Sequence, residues 1–347
     1  MSGNLNSVVL ACLAVGLEFG LIHSAKVADA DGGAWVRKQT AESAFCPYMS
    51  AASRMNGGVI DALRQLSNMS YTALSEKTGQ KAEKRKHQWV LGDAKPKVQL
   101  QHVFAGDGGF LAGTCAVVSS SGVLLSHRHG SEIDSADLVW RFNDAEVDPS
   151  MADFVGLRED IRVLNDLHSD YLLYPGHKTV NVSTDSLILM QRQRGGSGIA
   201  PKRLMQILHT QHPLGNFVQG ERYVNVVAQQ VMNDAFGQPD KGWNVEMSRH
   251  LTTGFQGLLT AATLCKEVRT YGFVSSPQAG SVPYHYYGEK AGTANDKGKH
   301  ATYDEEKDFW RMIATNSDID ATDKAVFPGF PALKCGPERS TALLQLF

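Results

Sequence analysis

Short apolar runs alternate with amphipathic segments from about residue 97 onward. Five runs have the length and composition of buried strands: CAVV, DLVWRFN, IRVLN, DSLILM and VRTYGFV. Between them, apolar residues recur at helical spacing in KRLMQILHT, VNVVAQQVMNDAF and TGFQGLLTAATLCKEV. Because strands alternate with helices, the pattern predicts an α/β domain with a mainly parallel sheet.

The first of these strands runs into a turn of three serines and a glycine. Cys115 to Val118 are small or branched, and SSSG follows before apolar residues resume at Val123. A strand, a turn of small residues and a further ordered segment form a common phosphate-binding arrangement. The turn offers hydroxyl and N–H donors where a dinucleotide site has G-x-G-x-x-G. A dinucleotide-dependent oxidoreductase is therefore disfavoured.

The chain before this region divides into two parts. Residues 7–22 form an apolar run that is short for a spanning helix of about 20 residues, and no Lys or Arg precedes it. A signal anchor, a cleaved signal peptide and a buried helix remain open, and we predict secretory targeting by residues 1–23. Residues 24–95 are polar and mixed, which predicts a stem or linker whose basic stretch at 77–88 is a solvated face. Residues 96–347 then form the main domain.

Composition excludes several classes of protein. Of the 347 residues, 34 are basic and 36 acidic, so the net charge of −2 lacks the basic footprint of a nucleic-acid-binding protein. The five cysteines form no C-x-x-C pair, which argues against a zinc ribbon or a thioredoxin-type site. They are Cys12, Cys46, Cys115, Cys265 and Cys335. Whether the last four are free thiols or bridges depends on the compartment.

Four segments far apart in the sequence have features of a single site. The first, 114–143, holds the serine turn and ends a strand at Asn143; the second, 252–273, opens a helix with Thr252, Thr253 and Gly254. The third is PYHYYG at 283–288, and the fourth is KHATYDEEK at 299–307, where His300 precedes Glu305 by five positions. Each segment alone has a plain structural explanation, such as a capped helix or a packed aromatic edge.

Together these segments resemble the four sialylmotifs of the animal-type sialyltransferase family in order and approximate spacing. The resemblance covers about residues 97–335. VVSSSG, RFN and the ending DKAVFPGFPALKC are most similar to the β-galactoside α2,6-sialyltransferases. Two departures are Thr-Thr-Gly in place of Ser-Ser-Gly, and Lys299 where an aromatic residue commonly precedes the motif histidine.

The resemblance implies a GT-A-like (variant Rossmann) glycosyltransferase domain that uses CMP-sialic acid as donor. It implies that His300 is the catalytic base and that His285 lies near the phosphate. The residues that it places against CMP are Ser120, Asn143, Asn165, Thr252, Thr253, Gly254 and Tyr286. Attack by a galactose-type hydroxyl requires a general base, which a histidine supplies near neutral pH, and hydrogen-bond donors stabilise the departing phosphate. No metal cofactor is expected.

The resemblance also implies partners, covalent bonds and a location. The acceptor is a glycan on a glycoprotein or glycolipid, with α2,6 linkage, and no nucleic acid is involved. Two disulfides are implied, Cys115–Cys265 and Cys46–Cys335. The expected location is the Golgi membrane, as a single-pass type II protein with a lumenal catalytic domain that could carry glycans at the Asn68 and Asn181 sequons.

Three points remain open from the sequence. Another CMP-activated keto sugar, such as Kdo, is an alternative donor because the cytidine and phosphate contacts would be shared. A catalytically weak sialyltransferase-like binding protein is the second alternative, favoured by Lys299 and opposed by His300. Glu305 either orients His300 or caps the helix that follows.

Overall fold

Six parallel strands and one antiparallel strand form a single twisted sheet. The computed structural model describes residues 40–52, 55, 58–63, 112–173, 186–191, 201–211, 216–236, 251–288, 292–294 and 302–335. The strands are β1 (Ala112–Val118), β2 (Leu138–Phe142), β3 (Ile161–Leu164), β4 (Leu187–Met190), β5 (Asn216–Gln219), β6 (Cys265–Tyr271) and β7 (Lys324–Pro328). Their order is β5-β4-β3-β2-β1-β6-β7, and only β7 runs antiparallel to its neighbour. The predicted α/β class with a mainly parallel sheet is confirmed.

The described helices connect the strands and cover the sheet. They are α1 (Ala41–Phe45), α2 (Gly130–Ser135), α3 (Ala152–Val155), α4 (Asp166–Tyr171), α5 (Pro201–Gln211), α6 (Arg222–Phe236), α7 (Thr253–Leu264), α8 (Tyr303–Ile313) and α9 (Ile319–Thr322). The predicted helix over TGFQGLLTAATLCKEV was wrong in its last four residues. Cys265 to Val268 belong to β6 because this segment pairs with β1, and strand pairing overrides the apolar spacing.

Both faces of the central strands are buried, as expected for a parallel sheet covered by helices. Along β1, Cys115 and Val117 face the larger core with α6, α7 and α8, whereas Ala116 and Val118 face a smaller cluster with α2 and α3. This alternation follows from the two-residue period of a strand. The residues packed on both faces of the sheet therefore hold its carboxyl edge in place.

Residues 40–63 include core positions, although their composition is that of the predicted stem. Phe45 is fully buried, and its ring centroid lies 4.8 Å from that of Phe330 and 6.1 Å from that of Phe309. A disulfide joins Cys46 to Cys335, next to this contact. The packed unit, residues 39–347, therefore includes part of the segment that the sequence analysis assigns to the stem.

The second disulfide joins Cys115 in β1 to Cys265 at the start of β6. It ties together the two neighbouring strands that carry the first and second motif segments. Both bridges are the pairs that the resemblance implies. The apolar run 7–22, the sequons at Asn68 and Asn181, the boundary at residue 96, Lys299 and His300 lie outside the described residues. Within the described part of the chain, no helix is long and apolar enough to cross a membrane.

Candidate functional site

The serine turn follows β1 at the carboxyl edge of the sheet, where parallel α/β sheets place their ligands. Ser119 Oγ accepts a hydrogen bond from the Ser121 N–H at 3.1 Å, and Ser121 Oγ accepts one from the Val123 N–H at 3.4 Å. These two hydroxyls shape the turn and are buried. The Ser120 hydroxyl has no hydrogen-bond partner among the described residues and is half-buried, so it is the one available to a ligand.

The HYYG segment lies directly on this turn. The Tyr286 N–H donates to the Ser120 carbonyl at 3.1 Å, and His285 Nδ1 lies 3.0 Å from the same oxygen. The Gly122 N–H donates to the Tyr284 carbonyl at 3.3 Å. A Cβ on Gly122 would lie 1.8 Å from the Pro283 carbonyl oxygen, so only glycine permits this approach. The first and third motif segments thus form one structure.

Asn143 and Asn165 meet at the ends of β2 and β3. Asn143 has a left-handed backbone (φ 49°), and its side-chain oxygen accepts the Asn165 N–H at 3.1 Å. Arg162, buried and paired with Glu159, donates to the Asn143 carbonyl at 2.8 Å and holds this conformation. Asn165 Oδ1 caps α4 by accepting the His168 N–H. Both amide oxygens are therefore used within the protein, and neither Nδ2 group has a hydrogen-bond partner among the described residues.

The second motif segment begins beside the end of β2. A Cβ on Gly254 would lie 2.7 Å from the ring of Phe273, whose centroid is 5.6 Å from that of Phe142. Thr252 caps α7 by accepting the Phe255 N–H at 3.0 Å, and its hydroxyl donates to the Glu306 carboxylate. The Thr252 side chain is thus fully engaged, which leaves Thr253 and the backbone N–H groups of the first turn for a ligand.

Glu306 is a buried carboxylate that the sequence analysis missed. It accepts hydrogen bonds from the Thr252 N–H at 2.8 Å and from the Thr302 hydroxyl at 2.9 Å, besides the Thr252 hydroxyl. Burial raises its pKa to about 7, and the hydrogen bonds from Thr252 and Thr302 oppose that rise. Its spacing was a usable signal, since Glu306 shares one helical face with Phe309, Trp310 and Ile313.

The region 111–317 matches the sequence profile of glycosyltransferase family 29 (sialyltransferase). The chain belongs to this family. The resemblance stated from the motifs is therefore confirmed, and the geometry above shows how the first, second and third motif segments fit together in this chain.

Family 29 relatives match this chain at low identity. A human alpha-N-acetyl-neuraminyl-2,3-beta-galactosyl-1,3-N-acetyl-galactosaminide alpha-2,6-sialyltransferase is 32% identical, over 50% of this chain and 59% of its own. A mouse alpha-N-acetylgalactosaminide alpha-2,6-sialyltransferase 3 is 26% identical, over 54% and 64%. The beta-galactoside alpha-2,6-sialyltransferase 2 of Takifugu rubripes is 26% identical, over 64% and 42%. The chain thus spans between about two fifths and two thirds of the length of these curated relatives.

A crystal structure of a mammalian sialyltransferase is similar at 17% identity and a TM-score of 0.38, over 66% of this chain and 76% of that one. A second, a mammalian sialyltransferase in complex with Gal-beta-1-3GalNAc-ortho-nitrophenol, has the same TM-score and identity, over 64% and 79%. Family membership rests on the sequence match alone.

Not every motif residue of this family 29 chain faces the edge of the sheet. Tyr286 is only 3% exposed and donates its hydroxyl to the Glu146 carbonyl at 2.7 Å, and burial raises its pKa. It therefore supports the loop after β2. Glu305 lies half-buried in the first turn of α8, where its neighbour Glu306 makes the contact to Thr252. Within the described residues, no group of three or more His, Cys, Asp or Glu side chains could hold a metal ion.

Proposed function

We propose that the protein transfers sialic acid from CMP-sialic acid to a galactose-type hydroxyl of a glycan acceptor, with α2,6 linkage. The observation that carries the proposal is the contact between the serine turn and the HYYG segment, beside Asn143 and Asn165, in a family 29 chain. The α2,6 linkage is supported by the names of the relatives, all three of which are alpha-2,6-sialyltransferases.

CMP binds at the carboxyl edge of the sheet in this proposal. The Ser120 hydroxyl, the Nδ2 groups of Asn143 and Asn165, and the first turn of α7 at Thr253 and Gly254 supply hydrogen-bond donors. Donors of this kind suit the phosphate and the carbonyl group of the cytosine ring. Thr252 positions the turn through its cap and through Glu306 rather than touching the nucleotide.

The reaction is a single in-line displacement that inverts the anomeric carbon. His300 takes the proton of the acceptor hydroxyl, whose oxygen bonds to the anomeric carbon as the bond from that carbon to the CMP phosphate oxygen breaks. An imidazole, with an ordinary pKa near ~6.5, suits this role. CMP leaves with the bonding electrons.

His285 stabilises the departing phosphate. Its Nδ1 lies 3.0 Å from the Ser120 carbonyl oxygen, which only accepts, so Nδ1 carries a proton. A hydrogen bond from Nε2 to the phosphate then requires a second proton, which makes the ring a cation beside the developing negative charge. This cation and the surrounding donors provide the stabilisation, and we propose that no metal ion is needed.

The same proposal places the protein in the Golgi membrane. Residues 1–23 act as a signal anchor that makes a type II protein, with the catalytic domain in the lumen. The two disulfides are in keeping with an oxidising compartment.

The test is incubation of purified protein with CMP-sialic acid in the presence of EDTA. One reaction contains a lactose-terminated acceptor and another an N-acetylgalactosaminide acceptor, and linkage-specific sialidases with mass spectrometry identify the product. An α2,6-linked product supports the donor, the linkage and metal independence together. Transfer from CMP-Kdo instead would identify another donor. CMP binding without transfer to either acceptor would indicate a binding protein.

A further inference from the structure

Asp144 and His168 connect the HYYG segment to the asparagine pair through a chain of close polar contacts. The Tyr287 hydroxyl donates to Asp144 Oδ1 at 2.9 Å, and His168 Nε2 lies 3.3 Å from the same oxygen. His168 Nδ1 lies 2.8 Å from Asn165 Oδ1. The side chains of His168 and Asp144 are only 14% and 15% exposed, so water competes little for these contacts.

The acceptors in this chain determine how many protons His168 carries. Asn165 Oδ1 also accepts the backbone N–H of His168 at 2.9 Å, which identifies this atom as the amide oxygen. A carbonyl oxygen only accepts, so His168 Nδ1 must donate. The ionised carboxylate of Asp144 lies 3.3 Å from Nε2, where it would repel a bare nitrogen lone pair and attract an N–H. A doubly protonated ring satisfies both contacts.

We propose that His168 is a cationic positioning residue, held by Asp144, that orients the side-chain amide of Asn165 toward the nucleotide. The His168 ring and the His168 backbone N–H both hold Asn165 Oδ1, so Asn165 Nδ2 is directed to the ligand. The positive charge of the ring also favours an anionic ligand nearby. The inference rests on the proposed function, since it assumes that the nucleotide is CMP.

The groups that face His168 come from three elements. Asp144 lies beside Nε2 from the loop after β2 and accepts the hydroxyl of Tyr287 of the HYYG segment, whose ring is stacked on that of His285 at 5.2 Å. Tyr171 of α4 contacts the His168 ring edge-on at 5.5 Å. Arg162 donates to the Asn143 carbonyl and is neutralised by Glu159. Asp144 is thus the anion that pairs with the ring.

The first experiment measures CMP affinity by calorimetry for the wild type and for His168→Gln. At about pH 5.5 the variant should bind CMP about fivefold more weakly, and the difference should shrink to less than about twofold at about pH 8, where an imidazole is neutral. His209→Gln, an exposed histidine on α5, is the matched control and should show no such pattern.

Asp144→Asn keeps the size of the side chain and removes its charge, so it should give the same loss at the lower pH. In the double variant the two losses should not add. A ratio of affinities that is independent of pH, or equal affinity at about pH 5.5, overturns the proposal.

A second measurement does not depend on CMP. Spectra of protein labelled with ¹⁵N in histidine, assigned through His168→Gln, should show both ring nitrogens of His168 protonated at about pH 5.5, the pH of the binding measurement. Asp144→Asn should lower that protonated fraction, and a neutral ring in the wild type overturns the proposal. Failure of the wild type to bind CMP, with the ring protonated, would instead contradict the proposed function.

Discussion

Replacing Glu306 by Gln removes a buried charge and keeps the size of the side chain. Glu306 is 4% exposed and joins α8 to the cap of α7. Burial raises its pKa from 4.5 to about 7, which corresponds to about 3 kcal/mol at about 1.4 kcal/mol for each pH unit. The folded protein therefore holds this proton more tightly than the unfolded chain does. The resulting stabilisation is complete below about pH 4.5 and is lost as the pH rises to about 7.

The variant carries no such proton, so its stability should not follow this part of the pH dependence. Urea unfolding at about pH 5 and about pH 8 gives the free energy of unfolding of both proteins. Between these two pH values the wild type should lose about 2.5 kcal/mol relative to Glu306→Gln, as linkage requires. Glu305→Gln makes the same change at the neighbouring half-buried position and serves as the matched control.

An equal difference between wild type and Glu306→Gln at both pH values would refute the reasoning. It would mean that the hydrogen bonds from Thr252 and Thr302 fully offset the cost of burying the charge. A stability of Glu305→Gln that changes less between the two pH values than the stability of Glu306→Gln would show that the wrong glutamate had been assigned to the contact.

Three further changes test the site and its frame. His300→Ala should abolish transfer while CMP affinity stays within about tenfold of the wild type, and retained turnover would mean that another group is the base. Ser120→Ala should weaken CMP binding about fivefold with little change in thermal stability, whereas Ser119→Ala, which removes a hydrogen bond inside the turn, should lower stability by about 1–2 kcal/mol. Reduction of the disulfides should lower the melting temperature markedly, because opening the 150-residue Cys115–Cys265 loop alone costs on the order of 5 kcal/mol in the chain-entropy model; an unchanged melting temperature would contradict this.

The parts of the fold that depend on local sequence patterns were predicted from the sequence. The five predicted strands lie in β1, β2, β3, β4 and β6, because buried parallel strands read as short apolar runs. The serine turn and Asn143 were found as candidates because polar residues that directly follow such strands fall at the carboxyl edge of the sheet, whereas Asn165 was a candidate only through the family resemblance. Two strands were missed. β5 (NFVQ) is short and mixed, and β7 is an antiparallel edge strand whose pairing partner is far away in the sequence.

Several relations needed the tertiary structure. The order of the strands, the packing of residues 40–63 into the core and the end of α7 at Leu264 all depend on partners elsewhere in the chain. Contacts at the candidate site also depend on residues that are far apart in the sequence. Glu306 reaches Thr252 across 54 positions, and Tyr287 reaches Asp144 across 143.

The division has a simple physical reason. Periodicity, caps and turn residues act within a few residues, so the sequence alone determined the α/β class, most strands and the residues at their ends. Whether a side chain there faces a ligand or another residue depends on which segments fold against it. Thr252 and Tyr286 were expected against the nucleotide, but tertiary partners engage their hydroxyls, whereas the Ser120 hydroxyl and the Nδ2 groups of Asn143 and Asn165 have no hydrogen-bond partner among the described residues.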